Sequence, residues 1–551
     1  VPSPDAAPGG TGGPDRALRA VGDRALLVEL PDLSEVLSVE AQLRQHPVEG
    51  QVDVVAAAST VLVTVENPWQ VAALEARLRT IDLSVAAALD DTLVTIEVRY
   101  DGEDLADVAA RTGLSEEAVV AAHTATPWVA AFGGFAPGFA YLTGGDPRLE
   151  VPRRDSPRTA VPAGSVALAG PFSAVYPRES PGGWQLVGRT DAVLWDARRT
   201  DPALIRPGNR VRFTVVRELV TVRAPAPAGG AAAPAPEGST RQTVDDGEGA
   251  RDVSARRAEA GLTVVTPGLS STLQDLGRPG LLALGVAEAG ALDRAASRQA
   301  NRLVGNTPGA AVIESVNGGL VLEAGEDQVL AVTGADVGLV IGMPDDQERD
   351  APLCAPFLLG AGEVLRQSPP ASGLRTYTAV RGGFAAEEVL GSRSSDSMSG
   401  LGPPALTAGM HLPVGQPAPG SAVGDPEELR PARTPEVLRV LPGPRDDWFD
   451  DGLARLCGTV WTVTAQSNRI GLRLDGPALV RTRAGELPSE GTVRGALQVP
   501  PSGLPVLFLA DHPVTGGYPV VGVVLAADLD RAAQLAPGST VRFLTCGSGS
   551  G

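Results

Sequence analysis

Short apolar runs broken by glycine, proline and polar positions dominate the chain, and helical spacing surfaces in only a few places. Ala25-Leu26-Leu27-Val28-Glu29-Leu30 reads as a strand, residues 38–44 as a helix and residues 60–65 as a second strand. Helical spacing returns over 69–81, and a third strand is predicted at 92–98, which together describe a small α/β module. From about residue 160 onward the runs shorten and turn residues multiply, so β structure is predicted. One clear helix is predicted in the second half, with Leu292, Ala295, Ala296, Ala300, Leu303 and Val304 on one face and Gly305-Asn306 as its stop.

An internal repeat organises the rest. Pro207-Gly208-Asn209-Arg210-Val211-Arg212-Phe213 and Pro537-Gly538-Ser539-Thr540-Val541-Arg542-Phe543 share Pro-Gly, two spacers and Val-Arg-Phe. Gly182-Gly183-Trp184 precedes the first and Gly516-Gly517-Tyr518 the second, which predicts a duplicated β domain. A fainter echo, Gly360-Ala361-Gly362-Glu363-Val364-Leu365, suggests a further copy. Residues 224–260 are Ala, Pro, Gly and scattered charge, with Val244 and Val253 as the large aliphatics, so they read as a linker between two halves.

With 551 residues the chain has room for three to four domains. A net charge of −19 disfavours nucleic acid and anionic membrane surfaces as partners. The longest apolar run, residues 520–527, is too short to cross a bilayer, and residues 1–20 lack the apolar centre of a signal peptide. All 46 basic residues are arginine, which excludes a lysine Schiff base, a Walker-type lysine and covalent biotin on this chain. Cys354, Cys457 and Cys546 have neither disulfide nor zinc spacing, so a reducing cytoplasm is expected.

The densest chemistry lies between residues 132 and 190. Arg148, Arg153, Arg154 and Arg158 face only Glu150 and Asp155 in a proline-stiffened segment, which reads either as an anion-binding loop or as a solvated basic turn. Gly164-Ser165 and Gly182-Gly183 offer backbone N–H groups to an anion or else mark tight turns. Ser165 has no nucleophile-elbow spacing. His512, beside Asp511, is a candidate acid–base residue, while His123 precedes the dense segment. In the second half the polar clusters are Gln274-Asp275-Leu276-Gly277-Arg278, Asp293 with Asn301, Asn468-Arg469, Ser489-Glu490-Gly491 and Gln498.

Gly134-Phe135-Ala136-Pro137-Gly138-Phe139-Ala140-Tyr141-Leu142, the Pro152-Arg153 to Pro157-Arg158 stretch, Val161-Pro162-Ala163-Gly164-Ser165-Val166 and Pro181-Gly182-Gly183-Trp184 make the first half resemble the B-type subunits of 5-oxoprolinase, also known as allophanate hydrolase subunit 1 or the Kip inhibitor family. Gln274 to Arg278, Asp293, Ala300-Asn301-Arg302-Leu303-Val304-Gly305-Asn306 and Thr515-Gly516-Gly517-Tyr518-Pro519 make the second half resemble the C-type subunits, the Kip antagonist or biotin-dependent carboxyltransferase domain family. The resemblance implies a mainly β protein with a small α/β N-terminal domain and several cyclophilin-like β-barrels. The expected divisions are a tail at 1–15, the α/β domain at 16–98, barrels at 99–223, 261–435 and 436–546 around the linker, and a short tail at 547–551.

It further implies an ATP-dependent hydrolase component, with Mg²⁺ alongside ATP, that opens the 5-oxoproline lactam to glutamate and is inactive without a separate 5-oxoprolinase partner of the A type. On that reading Arg153, Arg158, Gly164, Ser165, Gly182 and Gly183 are expected to bind ATP or substrate, and Asp275, Arg278 and His512 to be catalytic. No metal ligands are identified. The resemblance leaves two alternatives: a carboxyltransferase component of a urea carboxylase-like enzyme, which needs a biotin carrier on another chain, and a protein that inhibits a histidine kinase.

Overall fold

The computed structural model describes residues 16–83, 90, 92–154, 156–217, 261–430, 435–483, 485 and 487–546. The predicted linker and both predicted tails, as well as Asp155, lie outside the described residues.

The N-terminal module is a four-stranded antiparallel sheet in the order Leu18–Ala20, Ala25–Glu29, Thr60–Val65 and Gln51–Ala56, with helices Leu33–Gln45 and Val71–Thr80. The first helix begins earlier than its apolar spacing suggests because Asp32 accepts a hydrogen bond from the Glu35 N–H and caps it. Residues 25–28 are buried without alternation because both faces of the sheet are covered. Leu26 and Val28 share a core with Val36, Val39 and Leu74 of the helices. Ala25, Leu27 and Leu62 share another with Ala496, Phe508 and Val523 at the far end of the chain.

Leu93–Val98, expected as the third strand of this module, belongs instead to the next domain. It is the edge of a seven-stranded sheet and pairs in parallel with Arg210–Val215. Only pairing across more than a hundred residues decides this, because a strand's own apolar pattern does not name its neighbour. The same domain holds two helices that apolar spacing does not predict, Leu105–Thr112 and Glu116–Ala125.

The repeat is structural. In the first copy Arg210–Val215 pairs in parallel with the opening strand Leu93–Val98, and in the last barrel Thr540–Thr545 pairs in parallel with the opening strand Glu436–Pro442. Val211 faces Trp128 in the first, and Val541 faces Trp461 in the second. The indole N–H of Trp128 donates to the His123 carbonyl at 3.0 Å, that of Trp461 to the Leu456 carbonyl at 2.9 Å. Gly164 and Gly495 also correspond, with φ of 79° and 93°. Gly164 donates to the Tyr176 carbonyl and accepts from Thr190, while Gly495 donates to Phe508 and accepts from Val524. Each copy carries a two-stranded ribbon holding the glycine pair: Ser180–Gly182 with Arg158–Val161, and Thr515–Gly516 with Glu490–Gly491. The last copy closes into a seven-stranded barrel.

Between them, residues 261–430 form a six-stranded and a five-stranded sheet around Leu262, Ile313, Leu322, Val332 and Leu365. The predicted helix is Arg294–Leu303, capped by Asp293 and packed through Ala296, Ala300 and Leu303 on Ala331, Tyr377 and Ala379. The Gly360 echo ends in Val364–Gln367, an inner strand antiparallel to both neighbours, so it lacks the parallel closing strand that defines the repeat. The fold is mainly β. Cys354, Cys457 and Cys546 are unpaired, and no helix among the described residues is long and apolar enough to cross a membrane.

Candidate functional site

The two halves meet through buried polar contacts as well as apolar ones. The Asp53 carboxylate accepts the N–H groups of Gly280 and Leu282 at 3.1 and 3.0 Å. Tyr141 and Ser489 hydroxyls lie 3.2 Å apart, and Arg445 reaches both Glu490 and, across the halves, Glu29. A side chain at Gly285 would strike the Ala136 carbonyl at 2.4 Å, so glycine permits the close approach of the two backbones there.

Within the second half a cavity of about 940 Å³ opens between the two-sheet unit and the last barrel. Its size suits a nucleotide or a drug-sized ligand, for which pockets run to about 300–1,000 Å³. Glu314 and Arg375 reach its wall from neighbouring strands, Arg469 from the turn before Gly471–Asp475, and Asp396 and Ser397 from a loop. Arg469 is spent on carboxylates: Nε and Nη2 donate to Asp511 at 3.0 and 2.9 Å, Nη1 donates to Glu314 at 2.5 Å, and Nη2 also donates to the Gly290 carbonyl. The neighbouring Asp511 and Glu314 charges raise its pKa despite the opposing effect of burial. Glu314 also accepts from the Tyr377 hydroxyl at 2.9 Å and from the Leu292 N–H at 2.9 Å.

Asp275 and Arg278 stand behind this wall rather than in it. Asp275 accepts from Ser392 Oγ, Ser394 Oγ and the Arg393 N–H, and Arg278 donates to the carbonyls of Val389 and Ser394. Gln274 adds a donation to the Ser395 carbonyl at 3.0 Å. The Gln274–Arg278 string therefore pins a serine-rich loop, and the loop presents Asp396 and Ser397 to the cavity. Arg278 is buried, its Nη1 has no hydrogen-bond partner, and burial lowers its pKa.

Asp396 is the titratable group most suited to chemistry here. Burial raises its pKa, and the Asp511 charge raises it further. Its carboxylate accepts from the Met398 N–H at 2.8 Å, the Ser399 N–H at 3.0 Å and the Ser399 hydroxyl. Sequence reasoning misses this loop because Gly391-Ser392-Arg393-Ser394-Ser395-Asp396-Ser397 looks like an ordinary polar connection. The repeated serines, each able to satisfy a neighbouring acid, are the available signal.

The remaining candidates lie elsewhere. His512 does not line this cavity: it is buried, stacks on Phe508 and approaches Thr492 Oγ1 at 3.2 Å through Nδ1, and burial lowers its pKa. Arg153 is exposed. Arg154 and Arg158 clasp the buried Asp104 at 2.6 and 2.9 Å, and Arg158 also meets Glu103 at 3.1 Å. Both carboxylate contacts of Arg158 come from Nη2, while its Nη1 is buried without a hydrogen-bond partner, so the expected anion fork is only partly occupied by acids of its own domain. Gly164 and Ser165 are not free donors either, since their N–H groups go to the carbonyls of Tyr176 and Pro162, and Ser165 Oγ also donates to Pro162. Gly182 makes room for the Tyr176 hydroxyl, which would lie 2.3 Å from a Cβ, and the Gly183 carbonyl accepts from Arg154 N–H. Among the described residues no group of three or more His, Cys, Asp or Glu is placed to hold a metal ion.

The chain matches two family models: carboxyltransferase domain, subdomain C and D, over residues 16–205, and subdomain A and B over residues 284–545. It is 35% identical to the C subunit of 5-oxoprolinase from Escherichia coli K12 over 292 residues, which span 52% of this chain and 91% of that protein. It is 39% identical to the B subunit of 5-oxoprolinase from Escherichia coli O157:H7 over 209 residues, 36% of this chain and 96% of that protein. The crystal structure of TTHA0988 superimposes with a TM-score of 0.77 at 34% identity, covering 95% of this chain and 100% of that one. Urea amidolyase of Lachancea kluyveri is 30% identical over 51% of this chain but only 17% of its own length.

Proposed function

The chain belongs to the family of 5-oxoprolinase B-type and C-type subunits, and from that premise we propose that it is both in one polypeptide, the part of an ATP-dependent 5-oxoprolinase that activates the lactam for opening to glutamate by a separate A-type partner. The observation that carries the reading is the composite build: the halves share a buried interface, and the cleft beside it holds an unneutralised carboxyl. Amide resonance makes a lactam carbonyl a poor electrophile, and transfer of a phosphoryl group to its oxygen supplies the leaving group that hydrolysis needs. ATP fits the cleft in size. Mg²⁺ fits as a companion of the triphosphate rather than as a resident of a protein cage, because the described residues offer no cluster of ligands.

The purified chain alone is expected to release little glutamate from 5-oxoproline. We place it in a reducing compartment, in keeping with its three unpaired cysteines. The test is 5-oxoproline-dependent ATP hydrolysis and glutamate release with and without a candidate A-type partner. Robust glutamate release by the isolated chain would overturn the division of labour, and no 5-oxoproline-dependent turnover with any A-type partner would overturn the reaction. The urea amidolyase similarity favours a second reading, carboxyl transfer from carboxybiotin. It requires a biotin-bearing lysine on another protein, so a requirement for such a carrier would support it.

A further inference from the structure

Two buried carboxyls sit together at the cleft, and they are treated differently. Asp511 is neutralised by two hydrogen bonds from Arg469 and also accepts from Ser397. Asp396 lines the cavity, is 3% exposed, and among the described residues forms no ion pair with any arginine; its donors are two N–H groups and one hydroxyl of its own loop. Arg178 from the first half, in the turn between Phe172–Val175 and Ser180–Gly182, exerts its charge on Asp396. Its Nε is buried without a partner. The charged groups acting on Asp396 are therefore Asp511 from the last barrel, Arg278 from the two-sheet unit and Arg178 from the other half.

We infer that Asp396, the buried carboxyl on the cavity wall that no arginine pairs among the described residues, is the proton acceptor of the cleft. The inference rests on the proposed lactam activation. In that step a bond forms between the lactam oxygen and the γ-phosphorus of ATP, and the bond from that phosphorus to the departing ADP oxygen breaks. The nitrogen lone pair moves toward carbon, which makes the ring N–H acidic. Its proton passes to the Asp396 carboxylate and leaves an O-phosphorylated imidate with an uncharged ring nitrogen for the A-type partner.

The test uses the full chain with its A-type partner and follows 5-oxoproline-dependent ATP hydrolysis from pH 5 to 9. Asp396→Asn should lose about 100-fold or more in kcat, the scale of general acid–base catalysis. Asp396→Glu, which keeps a carboxyl in the cleft, should retain more of the rate than Asp396→Asn. Asp396→Asn with more than a tenth of the wild-type kcat would overturn the inference.

A substrate-free measurement separates this from failure of the proposed reaction. A carboxyl whose pKa is raised on folding lends stability below its unfolded pKa and loses it as pH rises through the folded pKa. The melting temperature of Asp396→Asn should therefore gain on wild type between pH 4 and 8, and a flat difference would refute the assignment of Asp396 even if no turnover is found. Should Asp396→Asn fail to fold, Asp396→Ser carries the same comparison, since it too removes the titrating carboxyl.

Discussion

The first barrel-like domain and the last barrel share a frame but invert its electrostatics. In the first copy a buried acid on the body of the domain, Asp104, receives two arginines, Arg158 opening the ribbon and Arg154 just before it. In the last copy the arginine is on the body, at Arg445, and the acid, Glu490, is on the ribbon. Arg445 also reaches Glu29, so the last copy uses the contact to hold the other half, whereas the first spends it internally. Duplication preserved what backbone geometry requires, the parallel closing strand, the tryptophan register and the left-handed glycine, and left the charges free to diverge.

The largest test of that contrast is Arg469→Met. It leaves the buried Asp511 without its arginine and Glu314 with only the longer Arg375 pair at 3.6 Å, so the last barrel and its junction should lose about 3–5 kcal/mol in denaturant unfolding. The first copy offers no equivalent loss.

His123 and Leu456 occupy equivalent places beneath the paired tryptophans, so acid sensitivity should reside in the first copy. Burial pushes His123 down to about 3, between the hydroxyls of Tyr100 and Ser173. Because its folded pKa lies below the unfolded value, stability is lost as pH falls from about 6.5 toward 3, by roughly 4 kcal/mol at the acid end. His123→Leu should flatten that part of the melting-temperature profile, at a neutral-pH cost of about 1–3 kcal/mol from the stranded hydroxyls. An unchanged acid slope would remove His123 as its source.

Gly164→Ala and Gly495→Ala probe the shared part of the frame. Each should cost about 1–3 kcal/mol for the left-handed backbone. The first should cost more, because its Cβ would stand 2.2 Å from the Thr190 carbonyl against 2.8 Å from that of Val524 for the second. The smallest effect belongs to Arg158→Lys. Asp104 keeps Arg154, so less than about 1 kcal/mol should be lost and ATP hydrolysis per folded molecule should hold. A catalytic collapse with an unchanged melting temperature would instead make Arg158 an anion contact.

Much of this architecture was legible in the chain. The strands at 25–29 and 60–65, the capped helix at 294–303 and the duplicated Val-Arg-Phe ends follow from side-chain periodicity and turn chemistry, which act within a few residues and leave their mark there. The site was legible only in part. Arg469, Asp511 and the Gln274–Arg278 string stood out as polar groups in apolar company, but their roles as neutraliser, neutralised acid and loop brace depend on partners as much as 179 residues away. The sequence by itself determined the mainly β class, the repeat, the exclusion of lysine chemistry and the family. Tertiary structure decided which buried carboxyl is paired with an arginine and which is not, that Leu93–Val98 joins the barrel, and that Asp53 of one half is met by the Gly280 and Leu282 N–H groups of the other. The physical reason is that charge and burial are set by distance in space, and folding brings together groups whose separation along the chain carries no trace of it.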